Sequence, residues 1–260
     1  MPEDKKKWTH LYTLILVLIL AAIIAIAELE INRRATWIIN LVLLLVFAVV
    51  AGKGVTGYWL GIIIDDRSKI SLSRLQMLTW TIIVASGFLS AALFNLNLEG
   101  PGNPDPLDIT IPQQLLWLMG ISTTSLVGSP LVNSTKKAAG KIHDNTSPKD
   151  ADWQDIFMGE EKGNEKTIDL AKVQMFFITV VVVLAYAVTM GNELSGTSAI
   201  TTLPPLDGGI VGLLGISHAG YLTSKGVPKD KGNGTTTTDT TTTDTTTTGK
   251  NTGGGGKNAG

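Results

Sequence analysis

Ile70-Ser71-Leu72-Ser73-Arg74-Leu75-Gln76-Met77 decides the fold of this chain, because Ile168-Asp169-Leu170-Ala171-Lys172-Val173-Gln174-Met175 repeats its pattern later in the sequence. Each copy opens a long apolar segment, and each is followed by a loop that contains proline and by a second apolar segment. The second segments share a Gly-Ile-Ser tripeptide, at residues 120–122 and 215–217. A unit of two helices is therefore predicted to occur twice.

The apolar residues are grouped into blocks long enough to cross a membrane. The chain has 260 residues, of which 44% are hydrophobic, and a hydrocarbon core of ~30 Å requires about 20 helical residues. Six blocks meet or approach this length: Trp8–Ala27, Ala35–Gly52, Leu75–Leu96, Ile111–Val132, Val173–Gly191 and Gly208–Ser224. The sequence therefore predicts an all-α integral membrane protein with six transmembrane helices, in which the last four spans form a parallel duplicated helical hairpin.

The chain divides into predicted segments of different character. They are an N-terminal two-span hairpin with an interfacial segment (1–69), a first repeat (70–133), a cytoplasmic loop with a short amphipathic helix (134–167), a second repeat (168–227) and a low-complexity tail (228–260). The range Gly54–Ile64 is too short to cross the membrane, so it either lies in the interface or extends the second span. The tail is rich in Thr, Asp and Gly and is expected to be disordered.

The first span has some features of a signal peptide. Lys5-Lys6-Lys7 precedes it, and Ala25-Ile26-Ala27 fits the small-x-small pattern of cleavage after Ala27. The apolar run is longer than a typical signal core, however, and the alanines lie inside it. A retained first span is therefore the favoured interpretation, with cleavage as the alternative.

The basic residues predict the orientation. If the N-terminus is cytoplasmic, all of the 21 lysines and arginines except Arg33 and Arg34 fall on the cytoplasmic side. The later outer loops, Asn97–Thr110 and Asn192–Asp207, contain neither lysine nor arginine. Because cytoplasmic loops carry an excess of basic residues, this pattern predicts a multi-pass protein of the cell (inner or plasma) membrane with both termini cytoplasmic.

Equivalent polar residues open the two repeats. Ser71 and Asp169 are suitable N-cap residues, and Arg74 and Lys172 lie where a long cation can snorkel to the interface. Gln76 and Gln174 lie slightly deeper, where an unpaired amide is costly. We expect each glutamine to bond to a neighbouring helix; the alternative is that both line a polar pathway.

Small residues at four-residue spacing occur on the second helix of each repeat. Such faces let helix backbones approach closely in a membrane. They serve either packing inside the six-helix body or an interface between copies of the chain. The residues concerned are Gly120, Thr124 and Gly128 on the first copy, and Gly208 with Gly212 and Gly215 with Ala219 on the second.

His218 is the one ionisable residue well inside a predicted span, and its counterpart in the first repeat is Thr123. Ionisable groups at membrane depth are functional candidates by default. His218 either relays protons or senses pH, or it is a neutral imidazole bonded to a neighbouring Ser, Thr or carbonyl.

The stretch Gly61-Ile62-Ile63-Ile64-Asp65-Asp66-Arg67, which continues into Ser71-Leu72-Ser73-Arg74-Leu75-Gln76, resembles segments of prokaryotic multi-pass membrane proteins of unassigned function. The resemblance is one of pattern and covers the third to sixth spans. It implies a membrane fold and no particular activity or site.

Several classes of function are disfavoured by the sequence. Cysteine is absent, and we find no catalytic triad pattern or phosphate-binding glycine loop, so we expect no enzyme activity, cofactor, metal or nucleic-acid partner. The leading hypothesis is a non-enzymatic membrane scaffold in the lipid bilayer. It would form homo-oligomers through its small-residue faces and offer residues 148–161 to a cytoplasmic protein. The alternative is a small pore-forming oligomer that conducts ions or solutes.

Overall fold

The computed structural model describes residues 8–27, 29, 31–98 and 105–227, so the predicted disordered tail, 228–260, lies outside the described residues. The described chain is helical, with six α-helices: α1 (His10–Ala27), α2 (Arg33–Thr56), α3 (Leu72–Leu96), α4 (Gln113–Ala138), α5 (Leu170–Glu193) and α6 (Gly208–Gly226). Helices α2 to α5 are long and apolar enough to cross a membrane, and α1 is a shorter apolar helix. The prediction of an all-helical, membrane-type protein is thereby confirmed at the level of these four helices.

The helices begin where the sequence offers side-chain caps. Ser71 accepts a hydrogen bond from the backbone N–H of Arg74 at the start of α3, and Asp169 accepts one from that of Ala171 at the start of α5. Both residues were predicted as N-caps from the repeat, since a side-chain oxygen satisfies one of the free N–H groups of a first turn.

The helices pack around one large apolar core. Helix α1 packs on α2, α2 on α3 and α5, α3 on α4 and α5, and α6 on both α4 and α5. The core has Trp80 of α3 and Tyr186 of α5 at its centre, with ring centroids 6.1 Å apart in an edge-on arrangement. Aromatic pairs of this geometry add to the energy of area burial alone.

Two segments without α-helix close one end of the bundle, and we call them the cap: residues 57–71 and 139–169. This end is where α3 and α5 begin and where α2, α4 and α6 end. Ile64 pairs with Ile70, Ile142 with Glu161 and Met158 with Ile168 in isolated antiparallel bridges. The Asn145 N–H also donates to the Arg67 carbonyl at 3.1 Å, which joins the two segments.

The first residues of the range Gly54–Ile64 extend the second helix, and the position of the rest in the membrane interface stays a prediction. Helix α2 continues to Thr56 and ends at Gly57, whose φ of 82° is accessible mainly to glycine. The chain then folds back so that Ile62 lies against Gly52. A Cβ on Gly52 would lie 2.8 Å from the Ile62 backbone, so this close approach requires glycine.

The single amphipathic helix expected within 148–161 is not formed. Two short 3-10 helices, Pro148–Asp150 and Trp153–Ile156, take its place. Asp150 and Asp155 accept hydrogen bonds from the backbone N–H groups of Ser147 and Asp152. These acids therefore cap the start of each 3-10 helix instead of forming one polar helix face.

Candidate functional site

Polar side chains connect the helices inside the bundle. Gln76 on α3 donates to Thr179 Oγ1 on α5 at 2.6 Å, and Asn40 on α2 donates to Ser90 Oγ on α3 at 3.0 Å. Gln174 is exposed on α5, and no hydrogen bond to it is found among the described residues. The interhelical bond expected of both glutamines is therefore made by Gln76 and not by Gln174, because Gln174 lies on the outer face of its helix.

His218 is enclosed between α4 and α6. Its side chain is 2% exposed, and its Nδ1 shares a hydrogen bond of 2.6 Å with Ser125 Oγ. Its Nε2 has no hydrogen-bond partner among the described residues. The bond to a neighbouring serine that was expected of a neutral imidazole is therefore present, and the role in proton relay or pH sensing stays a prediction. Thr123, its counterpart in the first repeat, is exposed and donates to the Met119 carbonyl of its own helix.

The outer surface between α4 and α6 contains an open groove, which we call the α4–α6 groove. Its volume is about 690 Å³, and its lining includes Trp117, Gly120, Thr124, Gly212, Gly215 and His218. The small residues that the sequence singled out on both helices, apart from Gly128, thus meet in one place. They form the floor of a shallow apolar channel that is open to the surroundings.

The glycines of this groove differ in what they contact. A Cβ placed on Gly120, Gly208 or Gly212 would meet no other atom within 4 Å. A Cβ on Gly215 would lie 3.6 Å from Ile121, and one on Gly128, which lies outside the groove, would lie 3.4 Å from Leu222. Packing inside the bundle therefore uses Gly128 and Gly215, whereas the first three glycines leave open space on the outer face.

A buried group of charges lies beneath the cap, centred on Glu160. The Glu160 carboxylate is within 2.7 Å of Arg67 Nη1, 2.9 Å of Lys172 Nζ and 2.8 Å of Lys225 Nζ. The side chain is 9% exposed. Arg67 lies in the other cap segment, Lys172 in the first turn of α5 and Lys225 in the last turn of α6. One carboxylate therefore joins the two segments of the cap to each other and to two helices of the bundle.

The cations determine the ionisation of Glu160. Burial alone would raise its pKa, but Lys172, Lys225 and Arg67 outweigh that cost and hold the pKa well below its ordinary value. Burial likewise acts to lower the pKa of Arg67, and the attraction of Glu160 and Asp65 raises it above the usual value. Both shifts favour the charged forms of Glu160 and Arg67.

A second ion pair lies next to the first. Lys136, near the end of α4, binds Glu161 Oε1 at 2.6 Å and the Val227 carbonyl at 3.0 Å. Lys172 also donates to the carbonyls of Asp155 and Met158 at 3.1 and 2.8 Å. The sequence analysis did not predict this arrangement: it placed Lys172 at the lipid interface and assigned no role to Glu160 or Glu161. The one available signal was the placement of two adjacent glutamates immediately after the uncharged segment Ile156-Phe157-Met158-Gly159.

Arg33 and Arg34, the two basic residues that depart from the charge pattern, organise the end opposite the cap. Arg34 Nε donates to the Gly191 carbonyl at 2.9 Å, and its Nη2 donates to Ser195 Oγ at 2.6 Å. Arg33 donates to the Thr197 carbonyl at 2.8 Å and stacks over the Phe94 ring. Both cations thus satisfy carbonyls at and beyond the C-terminus of α5, where the helix dipole is negative.

No family model, curated protein or solved structure matches this chain in comparisons with known proteins. In residues 8–27, 29, 31–98 and 105–227, no three His, Asp or Glu side chains are grouped to hold a metal ion. The groove, the cap and the charge distribution are therefore the features of the chain that bear on its function.

Proposed function

We propose that this protein is a non-enzymatic membrane scaffold that associates with copies of itself through the α4–α6 groove. The observation that carries the proposal is the open space beside Gly120, Gly208 and Gly212. Glycines in a lipid-facing surface gain nothing from lipid, whereas between helices they allow close backbone contact. The interior packing that was the alternative explanation does not involve these three residues.

The rims of the groove suit a symmetric contact. Large apolar side chains beside it, including Leu116, Trp117, Leu213 and Ile216, are exposed. A two-fold contact is self-complementary, so the same surface must supply both ridge and channel. This surface offers both, and we therefore take a second copy of the chain as the occupant.

The charge distribution supports six spans with a cytoplasmic cap. Every described lysine and arginine apart from Arg33 and Arg34 belongs to the cap or to the helix turns beside it, which is the asymmetry expected of a cytoplasmic side. The Trp8 ring lies against Gly54 near the cap, so α1 starts at the same end. On this proposal α1 and α6 join the four longer helices in crossing the membrane.

The local structure before α3 and α5 supports the duplicated hairpin. The Ser71 N–H donates to the Ile63 carbonyl, and the Asp169 N–H donates to the Phe157 carbonyl. Each helix is thus preceded by an antiparallel bridge and begins at a capping side chain. We propose that the two hairpins descend from one two-helix unit.

The cap is the surface that the scaffold would present to a cytoplasmic protein. Trp153 is 50% exposed within 148–161, whereas Ile156 of the same segment is buried. Because one aromatic ring stands out from an anchored segment, this region has the form of a rigid recognition surface.

The pore hypothesis receives less support from the contacts. Gln76, which would have to line a pathway, bonds instead to a neighbouring helix within one copy. A pathway would need such groups to face water. An ion-flux measurement in liposomes nevertheless belongs in the test of function.

The experiment compares two glycine substitutions on the same helix. Gly212→Leu fills the groove, and Gly220→Leu is the matched control because Gly220 is also exposed with open space at its Cβ but does not line the groove. We expect single-molecule photobleaching in liposomes to show at least about tenfold weaker self-association for Gly212→Leu, a loss of about 1.4 kcal/mol, and no change for Gly220→Leu. Equal association in the two variants, or ion flux through the wild-type protein, would contradict the proposal.

A further inference from the structure

Exposed side chains form a stripe along the outward face of α5, and we call it the α5 stripe. Its members follow one another at alternating steps of four and three residues, which is the spacing of a coiled-coil seam. The apolar members are 61–76% exposed. The stripe consists of Leu170, Gln174, Phe177, Val181, Leu184 and Val188. None of these residues lines the α4–α6 groove, so the stripe is a separate surface of the bundle.

The residue types of the stripe are those of a seam between two parallel helices. Gln174, Val181 and Val188 occupy the positions that are denoted a in a coiled coil, and two of the three d positions hold leucine. β-branched residues at a with leucine at d favour a pair of parallel strands, and most membrane helices pack at the crossing angle of coiled coils. The stripe therefore has the side chains expected where one further helix packs.

Gln174 introduces an amide without a partner into this apolar stripe. Its side chain is exposed, and no hydrogen bond to it is found in the part of the chain that the structure describes. Helix α5 has 24 residues, of which about 20 cross the hydrocarbon core. With the excess divided between both ends, the core begins at about the third residue of α5 and includes Gln174, the fifth. An amide in hydrocarbon without a hydrogen bond is costly, so this position needs a polar group from a neighbouring helix.

We propose that a second copy of the chain binds the α5 stripe, so that two α5 helices pack side by side and parallel. Copies inserted in the same orientation are related by a two-fold axis along the membrane normal, which sets each residue at the depth of its counterpart. Gln174 therefore meets Gln174 of the partner subunit. A carboxamide has both donors and an acceptor, so each glutamine satisfies the other and a polar group from a different protein is not needed.

The α5 contact and the α4–α6 groove together make the scaffold grow as a row. Two half-turns about parallel axes amount to a translation, so two different two-fold contacts add copies without closing a ring. The row rests on the proposed function, because it needs the groove contact as well, whereas the α5 contact does not. All caps in such a row face the same side of the membrane.

The test is disulfide cross-linking, because the chain contains no cysteine and one introduced cysteine reports one contact. Val181→Cys lies near the middle of α5 on the stripe. Val42→Cys is the matched control, since Val42 is 47% exposed near the middle of α2, between Ile38 and Leu45, on an outward face at the same spacing without a polar residue. In liposomes oxidised with copper phenanthroline, we expect dimers to form at least about tenfold faster for Val181→Cys, because a held pair reacts faster than colliding copies. Equal rates would overturn the proposal.

The amide pair is tested in the Val181→Cys chain. Gln174→Leu changes an exposed side chain and is expected to slow cross-linking at least about fivefold, which corresponds to about 1 kcal/mol. Gln174→Asn keeps a self-complementary amide and should cross-link faster than Gln174→Leu. An unchanged rate in Gln174→Leu would refute the pairing of the glutamines.

Gly212→Leu separates this contact from the one through the groove. In the Val181→Cys chain it should leave cross-linking intact and limit the assemblies counted by photobleaching to two copies. Loss of the cross-link in Gly212→Leu would overturn the independence of the two surfaces. If Val181→Cys and Val42→Cys cross-link equally while Gly212→Leu still weakens association, the α5 contact is refuted and the groove contact stands.

Discussion

Replacing Glu160 with glutamine should release the cap from the bundle. The substitution keeps the shape of the side chain and removes its charge, which leaves Arg67, Lys172 and Lys225 without their shared carboxylate at 2.7–2.9 Å. Because Glu160 is buried, solvent screens this loss weakly. Removing one partner from a buried ion pair costs about 3–5 kcal/mol.

Hydrogen exchange of the cap amides measures this cost directly. The N–H groups of His143 and Gly159 bond to the carbonyls of Glu160 and Thr167 within the cap, so they exchange when the cap opens. Since 1.4 kcal/mol corresponds to a factor of ten, we expect Glu160→Gln to speed their exchange by about a hundredfold to several thousandfold. Amides of α3 and α5 in the apolar core should change far less.

A surface ion pair provides the control. Lys137 and Asp144 are 2.7 Å apart, but their side chains are 55% and 32% exposed. Exposed pairs contribute about 0–1 kcal/mol, so Asp144→Asn should alter the same exchange rates by about fivefold at most. If Glu160→Gln and Asp144→Asn gave the same rates, the cap would be held by something other than the Glu160 cluster.

Two further predictions concern acid and the opposite end of the bundle. The folded state holds the pKa of Glu160 well below its ordinary value. The contribution of Glu160 to stability is therefore complete above the unfolded pKa of about 4.3 and is lost as pH falls through the folded pKa. Pepsin should cleave the cap of the wild-type chain only in strong acid, and a Glu160→Gln variant that retained this acid step would contradict the assignment. Asn95 forms two hydrogen bonds with the Ile200 backbone, at 2.8 and 2.9 Å, so Asn95→Ala should destabilise the 194–207 loop by about 2–3 kcal/mol. Hydrogen exchange of the Ile200 and Leu203 amides should become faster, and unchanged rates would show that other contacts hold this loop.

Local features of the chain were predictable because they depend on neighbours in sequence. The apolar blocks gave the helices α2 to α5, since a run of apolar residues of that length is stable in a membrane only as a helix. Ser71 and Asp169 were recognised as caps because a cap acts within one turn of its own position. The prediction was wrong for the segment 148–161, where two capped 3-10 helices replace the expected amphipathic helix. Which of the two forms depends on the hydrogen bonds that the Asp150 and Asp155 carboxylates accept from the backbone.

Tertiary structure decided which polar and small residues have partners. Gln76 and Gln174 occupy equivalent sequence positions, yet one faces Thr179 on a neighbouring helix and the other faces outward. The burial of Glu160 depends on cations contributed by distant parts of the chain, so its environment is absent from its local sequence. By itself the sequence determined the helical, membrane-type body and its charge asymmetry, because hydropathy and charge act on each segment separately. Only packing determined the open space beside the groove glycines and the ion pairs that hold the cap, because both depend on how separate segments of the chain meet.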